Sequence, residues 1–190
     1  SLGIAIGDVS DKGVAAALFM AMVRSLLRAE AHPGQSPEEV LRRVNRHLLD
    51  MNDKEMFVTV LFGILNRTTH RFSYARAGHE PPIFLDGKGS NKQLPKTSGQ
   101  ALGLFDTIAL DEQNIKLSKD CMMLLYTDGI PDATNRQNKR FGLNRIIRTI
   151  SCMPQRSAPI VCSELIKAVT EHQGDGLQYD DMTVIVVRAV

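Results

Sequence analysis

"MFVTVLFGILNRTTHRFSYARAG", residues 56–78, holds two apolar runs rich in β-branched and aromatic residues, parted only by "NRTT" at 66–69. Runs of that composition read as strands, and a link that short is of hairpin length. Parallel strands need a crossover of about a dozen residues or more, so this pair runs antiparallel. The pattern continues downstream. "PIFL" (82–85) and "KQLP" (92–95) flank the turn-rich "DGKGSN", and "IALDEQNIKLS" (108–118) alternates in part. "CMMLLYTDG" (121–129) is a continuous apolar run, as expected of a central strand buried on both faces.

Helical periodicity brackets this block. In residues 14–30, Val14, Leu18, Met22 and Leu26 recur every four, Phe19, Val23 and Leu27 widen the stripe, and Met20 and Met22 read as core. "SPEEVLRRVNRHLLDM" (36–51) carries start signals: Ser36 as N-cap, Pro37 at the first helical position and Glu39 completing a capping box. Its apolar stripe is Val40, Leu41, Val44, Leu48 and Leu49. "FGLNRIIRTISC" (141–152) and "SAPIVCSELIKAVTEHQ" (157–173) give two more helices. Residues 2–7 and "DDMTVIVVRAV" (180–190) read as buried strands at the two ends. The predicted order is strand, two helices, five or six strands, two helices, strand. There is no regular βαβ alternation and no internal repeat. The fold class is therefore α+β, helices packed on the faces of mainly antiparallel sheet, in one domain over 1–190.

Composition narrows the function. The 190 residues carry a formal net charge of +2, no Trp and 5% aromatics, which argues against nucleic acid or an anionic membrane as the main partner. The longest apolar run, "VAAALFMAMV", has ten residues, too few to cross a bilayer, and no signal peptide stands at the start. Cys121, Cys152 and Cys162 form no CxxC and read as free buried thiols of a cytoplasmic protein. The chain opens on Ser1 and runs at once into an apolar stretch, so it reads as a piece of a longer protein.

Three acidic spots share one local setting. Asp8 ends the first strand in "GIAIGDVSDKG", Asp128 ends the strand "CMMLLYTDG", and Asp180 and Asp181 precede the last strand. Each has a plain structural reading: Asp-Gly after a strand is a common turn, paired aspartates suit a solvated turn, and an Asp before a helix can cap it. Together they ask for a counter-charge, which a hard divalent cation supplies, and all-oxygen donors suit Mg²⁺, Mn²⁺ or Ca²⁺. The five histidines (32, 47, 70, 79 and 172) show neither HxH nor HExxH spacing. No P-loop, GxGxxG, GxSxG or kinase catalytic loop occurs.

"GDVSDKGVAAALFMA", "FVTVLFGIL", "YARAGHEPPIFL", "LGLF", "LLYTDGIPDATN", "FGLNRI" and "DDMTVIVVR" follow in this order. Over nearly the whole chain they resemble the metal-dependent Ser/Thr protein phosphatases (PPM), in the bacterial SpoIIE/RsbU-like branch. The resemblance implies a four-layer α-β-β-α sandwich of two mainly antiparallel sheets and a two-metal centre of Mn²⁺ or Mg²⁺. It implies that Asp8 bridges both metals, that Val9 lends its backbone carbonyl, and that Asp128 and Asp180 supply further carboxylates. Asp181 falls beside the ligand. Lys12, read from the residues, has two readings: a contact for substrate phosphate or a solvated loop lysine. The implied reaction is hydrolysis of phosphoserine or phosphothreonine by metal-activated water, without a covalent phospho-enzyme. The implied substrate is a phosphorylated regulatory protein, an anti-sigma-factor antagonist of STAS fold, with a sensor or receiver domain upstream. The alternative is a phosphatase-like domain of weak or lost chemistry that acts as a protein-binding signalling module; a Ca²⁺-binding structural domain lacks an EF-hand-like loop.

The family's Gly-Gly-Asp strand that precedes "GDVS" is absent, so the chain reads as a C-terminal fragment lacking its first strand or strands. An edge left open that way invites dimerisation. Asp11 stands where the family commonly has Gly, and Ala15 where it has Pro. His79 in "AGHEPP" has two readings, acid/base residue or hydrogen-bonded loop histidine.

Overall fold

The computed structural model describes residues 1–51, 56–92, 94, 99–154, 156–175 and 180–189. Its elements follow the predicted order: β1 (Leu2–Val9), α1 (Val14–Glu30), α2 (Pro37–Met51), β2 (Val58–Asn66), β3 (Arg71–Ala77), β4 (Ile83–Leu85), β5 (Asn91–Lys92), β6 (Asp111–Lys116), β7 (Met122–Tyr126), α3 (Leu143–Ser151), α4 (Ala158–Gln173) and β8 (Val184–Arg188). They make two antiparallel sheets, of order β1-β2-β3-β6 and β5-β4-β7-β8. Each sheet belongs to one of two compact units. The α+β class and the antiparallel pairing are as the hairpin at 56–78 requires. The strand expected at 92–95 is Asn91–Lys92 instead; residues 93 and 95 lie outside the described residues.

In the first unit, α1 and α2 pack together and on the sheet of β1, β2, β3 and β6. The core joins Phe19, Val23 and Leu27 to Val40, Leu41, Val44 and Leu48, and to Val58, Val60 and Phe62 of β2. The four-residue spacing in α1 predicts a stripe through Val14 and Leu18, yet these are 78% and 67% exposed. The buried line is Ala16, Phe19, Val23 and Leu27, with Met20, Met22 and Leu26 at its margins. An apolar residue every four positions drifts round a 3.6-residue helix, so Val14 and Leu18 lose the sheet that Val23 and Leu27 face. The buried-strand reading of residues 2–7 also needs correction. Among the described residues, β1 pairs with β2 alone and is the sheet's edge, with Leu2 51% exposed.

The capping box of α2 is formed: Glu39 N–H donates to Ser36 Oγ at 3.2 Å, and Ser36 N–H donates to Glu39 Oε2 at 2.9 Å. Ser36→Ala removes one acceptor from an orphan helical N–H and is expected to cost about 1 kcal/mol. A urea unfolding midpoint unchanged from wild type would count against that role. Asn45 of α2 is buried, accepts from Gly103 N–H at 2.9 Å and donates to Phe105 O at 2.9 Å. One amide thus fastens the "LGLF" loop to the helix.

In the second unit, α3 and α4 pack together and α4 lies on the sheet. β7 is buried at every residue and runs between β4 and β8, the central strand its apolar run predicts. β8 is only half-buried along its length and forms the other edge, which corrects the fully buried reading of the last strand. Of the cysteines, Cys121 is buried, Cys162 is half-buried and Cys152 is exposed; all are free, so burial holds for the first alone.

Candidate metal centre

In the first unit, Asp8 stands one residue before the end of β1, opposite Thr59 of β2. The ladder does not stop at the strand's last residue. Ser10 N–H donates to Phe57 O and Phe57 N–H to Ser10 Oγ, both at 2.9 Å. These bonds hold the loop after Asp8 against the start of β2. Asp11 then takes φ 76°, and its side chain accepts from Lys12 N–H at 2.8 Å. That left-handed turn is the physical reason Gly is common there, and Asp is among the residues that tolerate it. Gly13 follows at φ 89° and ψ −160°, a region open essentially to glycine, and leads into α1 without a side-chain cap. Neither Asp8 nor Asp11 caps that helix, so the capping explanation of Asp8 is removed. Lys12 is exposed on this loop.

The second unit builds its acidic corner from two loops. Asp128 follows β7, and Asp180 and Asp181 precede β8. Thr127 ties the two loops. Its N–H donates to Thr183 O at 3.1 Å, its Oγ1 donates to Asp181 O at 2.9 Å, and Thr183 N–H returns to that Oγ1 at 2.9 Å. Gly129 lets the loops touch: a Cβ there would stand 2.3 Å from Asp181 O. The stitching brings carboxylate oxygens of Asp128 and Asp180 within 4.8 Å of one another. Asp181 donates its N–H to Asp180 Oδ1 at 3.0 Å, which steadies the neighbouring carboxylate.

The placement raises the cost of ionising Asp128. Asp128 is held above the usual carboxylate range, first by partial burial, then by the charges of Asp180 and Asp132, against opposing bonds from backbone N–H groups. A corner of oxygen donors whose own charge raises a carboxyl's pKa fits a hard divalent cation, which would reverse that shift. Thr127 and Gly129 were not singled out from the sequence. Gly129 was legible only as part of an Asp-Gly turn, and Thr127 carried no signal.

Gly129→Ala is expected to push the 180–181 backbone off β7 and to weaken Mn²⁺ binding. Thr127→Val leaves Thr183 N–H without its side-chain acceptor and is expected to destabilise by about 1–3 kcal/mol. Equal Mn²⁺ titrations for Gly129→Ala and wild type would show that the loop contact does not shape the acidic corner.

His79 lies at the end of the first unit's β3 segment, 3% exposed, with its Nδ1 3.0 Å from Thr59 Oγ1. Arg76 Nη1 donates to the His79 carbonyl at 2.6 Å. The hydrogen-bonded reading of this histidine therefore describes its setting.

The Stage II sporulation protein E (SpoIIE) family model matches residues 1–190. The chain is 30% identical over 190 residues to phosphoserine phosphatase RsbU of Bacillus subtilis, covering 99% of this chain and 56% of that protein. It is 31% identical over 214 residues to protein IcfG of Synechocystis, covering 98% of this chain and 33% of that protein. The chain thus spans a third to just over half of these relatives. Among solved structures, the SiaA-PP2C domain of Pseudomonas aeruginosa superposes with a TM-score of 0.86 at 20% identity, covering 98% of this chain and 75% of that one.

Proposed function

Because the chain belongs to the SpoIIE family, we propose that it carries a protein serine/threonine phosphatase activity that depends on divalent metal, Mn²⁺ or Mg²⁺. The observation that carries this reading is the stitched pair Asp128 and Asp180, two carboxylates held near each other at a cost that a cation would repay. Asp8 is the third carboxylate of the proposed set, with the Val9 carbonyl beside it. The metals, when bound, supply an activated water and neutralise phosphoryl charge. The chain's own part is to hold the oxygen donors in place, Asp8 within the β1–β2 ladder and Asp128 and Asp180 on loops that Thr127 ties together. Lys12, exposed after Asp8, is the proposed contact for a substrate phosphoryl oxygen, a point charge on a flexible stem.

The substrate we propose is phosphoserine or phosphothreonine on a small regulatory protein, an anti-sigma-factor antagonist of STAS fold. RsbU, to just over half of which this chain is similar, is named a phosphoserine phosphatase. A sensor or receiver domain upstream and a cytoplasmic setting belong to the same proposal. Among the described residues, no helix is long and apolar enough to cross a membrane.

The test is hydrolysis of p-nitrophenyl phosphate with Mn²⁺, with Mg²⁺ and with chelator, on this chain and on one extended at its N-terminus. Turnover that appears with metal and vanishes with chelator is expected. If neither chain turns over with metal, the enzyme reading fails and a binding module remains.

A further inference from the structure

We propose that His79, through Thr59, is a positioning residue for the end of β1; the inference rests on the reading of Asp8 and Val9 as metal ligands. Thr59 is the register partner of Asp8, and its Oγ1 donates to the Asp8 carbonyl at 3.4 Å. A hydroxyl has one proton to give. With that proton on Asp8 O, the contact between Thr59 Oγ1 and His79 Nδ1 at 3.0 Å needs its proton from the ring. The proposal thus assigns N–H to His79 Nδ1, donating to Thr59, which donates to Asp8 O.

The carbonyl of Asp8 belongs to the peptide that joins Asp8 to Val9. With the flanking residues held by the β1–β2 ladder, fixing that peptide plane sets ψ of Asp8 and φ of Val9, and so the direction in which the Asp8 Cβ leaves the strand. The ring is itself held in place. It is 3% exposed, and its residue's carbonyl accepts from Arg76 Nη1 at 2.6 Å. Arg76 in turn gives Nε and Nη2 to Asp111 Oδ2 at 3.1 and 2.9 Å. A chain of buried and part-buried polar bonds thus runs from β6 through β3 and Thr59 of β2 to the end of β1. Outer partners of this kind orient the groups that touch a metal, and losing one typically costs about 10- to 100-fold in affinity.

Four variants and one spectrum test it: Thr59→Val, Thr59→Ser, His79→Gln and His79→Asn, each titrated with Mn²⁺ by electron paramagnetic resonance and melted without metal. Thr59→Val keeps the shape but loses the hydroxyl, and Thr59→Ser restores it. Asn can place an amide N–H where Nδ1–H stands; Gln reaches past it. Thr59→Val and His79→Gln are expected to lose about 10-fold or more in Mn²⁺ affinity, while Thr59→Ser and His79→Asn stay near wild type. Wild-type affinity in Thr59→Val, or equal losses in all four that track their melting temperatures, would overturn the inference. Nitrogen-15 spectra of the metal-free wild type are expected to show His79 protonated at Nδ1; a proton on Nε2 alone overturns the inference whatever the metal does. A wild type that binds no Mn²⁺ but shows Nδ1–H overturns the metal reading of Asp8 first, and the positioning role falls with it.

Discussion

Asp8→Asn is expected to lower Mn²⁺-dependent turnover of p-nitrophenyl phosphate by more than about 100-fold, beyond what loss of an outer-sphere partner costs. The change swaps one oxygen for an amide nitrogen of nearly equal size, so β1 and its register with β2 should persist. Asp8 stands in a continuous ladder from Leu2↔Leu65 to Val9↔Val58, extended by the paired bonds of Ser10 and Phe57. An unchanged melting temperature without metal would confirm that the loss is chemical. Charge is the variable: a carboxylate that faces a divalent ion contributes a full negative charge, and an amide contributes only a dipole. Mn²⁺ affinity should fall together with turnover. Full activity in Asp8→Asn would remove Asp8 from the proposed set of ligands. Asp128→Asn separates two further cases. Loss in both variants supports both carboxylates as ligands, while loss in Asp128→Asn alone removes Asp8 from the proposed set.

The hairpin at 56–78 was legible because its period and its short link are local properties of the chain. The same holds for the box of Ser36 and Glu39, where every partner lies within one turn. Edge position was not legible. The apolar runs at β1 and β8 look like central strands, since composition records what a strand can bury and not whether a neighbour lies on each side. The stripe of α1 failed for a related reason, because Val14 and Leu18 are apolar at positions that the sheet does not reach. At the candidate site, the aspartates are legible by type and by their place near strand ends. Thr127, Thr59 and Gly129 are not, since each acts through a partner distant in sequence: Asp181, Asp8 and the 180–181 backbone. Chemistry of a ligand is written in residue identity; chemistry of its support is written in the register between strands.

Arg76→Met is expected to destabilise the metal-free protein by about 3–5 kcal/mol, the usual result of stripping one partner from a buried ion pair. Arg76 and Asp111 sit directly opposite each other on β3 and β6, and their side chains are 9% and 2% exposed. Arg76 bonds Asp111 Oδ2 through two nitrogens, and Gln113 Nε2 donates to Oδ1 at 2.9 Å. Without the guanidinium, Asp111 keeps one charged oxygen in the sheet with its main partner gone. Tyr74 reports how dry this place is: burial pushes its hydroxyl up to about 12, with the Asp111 charge adding and Arg76 opposing. Asp111→Leu alone should cost a similar amount, now from a buried guanidinium that has lost its carboxylate. The double variant Arg76→Met with Asp111→Leu decides between two roles. Buried pairs replaced by apolar groups of like volume are often neutral or stabilising, so most of the lost stability should return. The His79 carbonyl would still lack its Arg76 donor, and the polar chain to Thr59 would lose its anchor. A double variant that unfolds at the wild-type urea midpoint but binds Mn²⁺ more weakly would show the pair kept for the end of β1 rather than for stability. Wild-type Mn²⁺ affinity in that same protein would make the pair structural alone and leave His79 to be held by its burial.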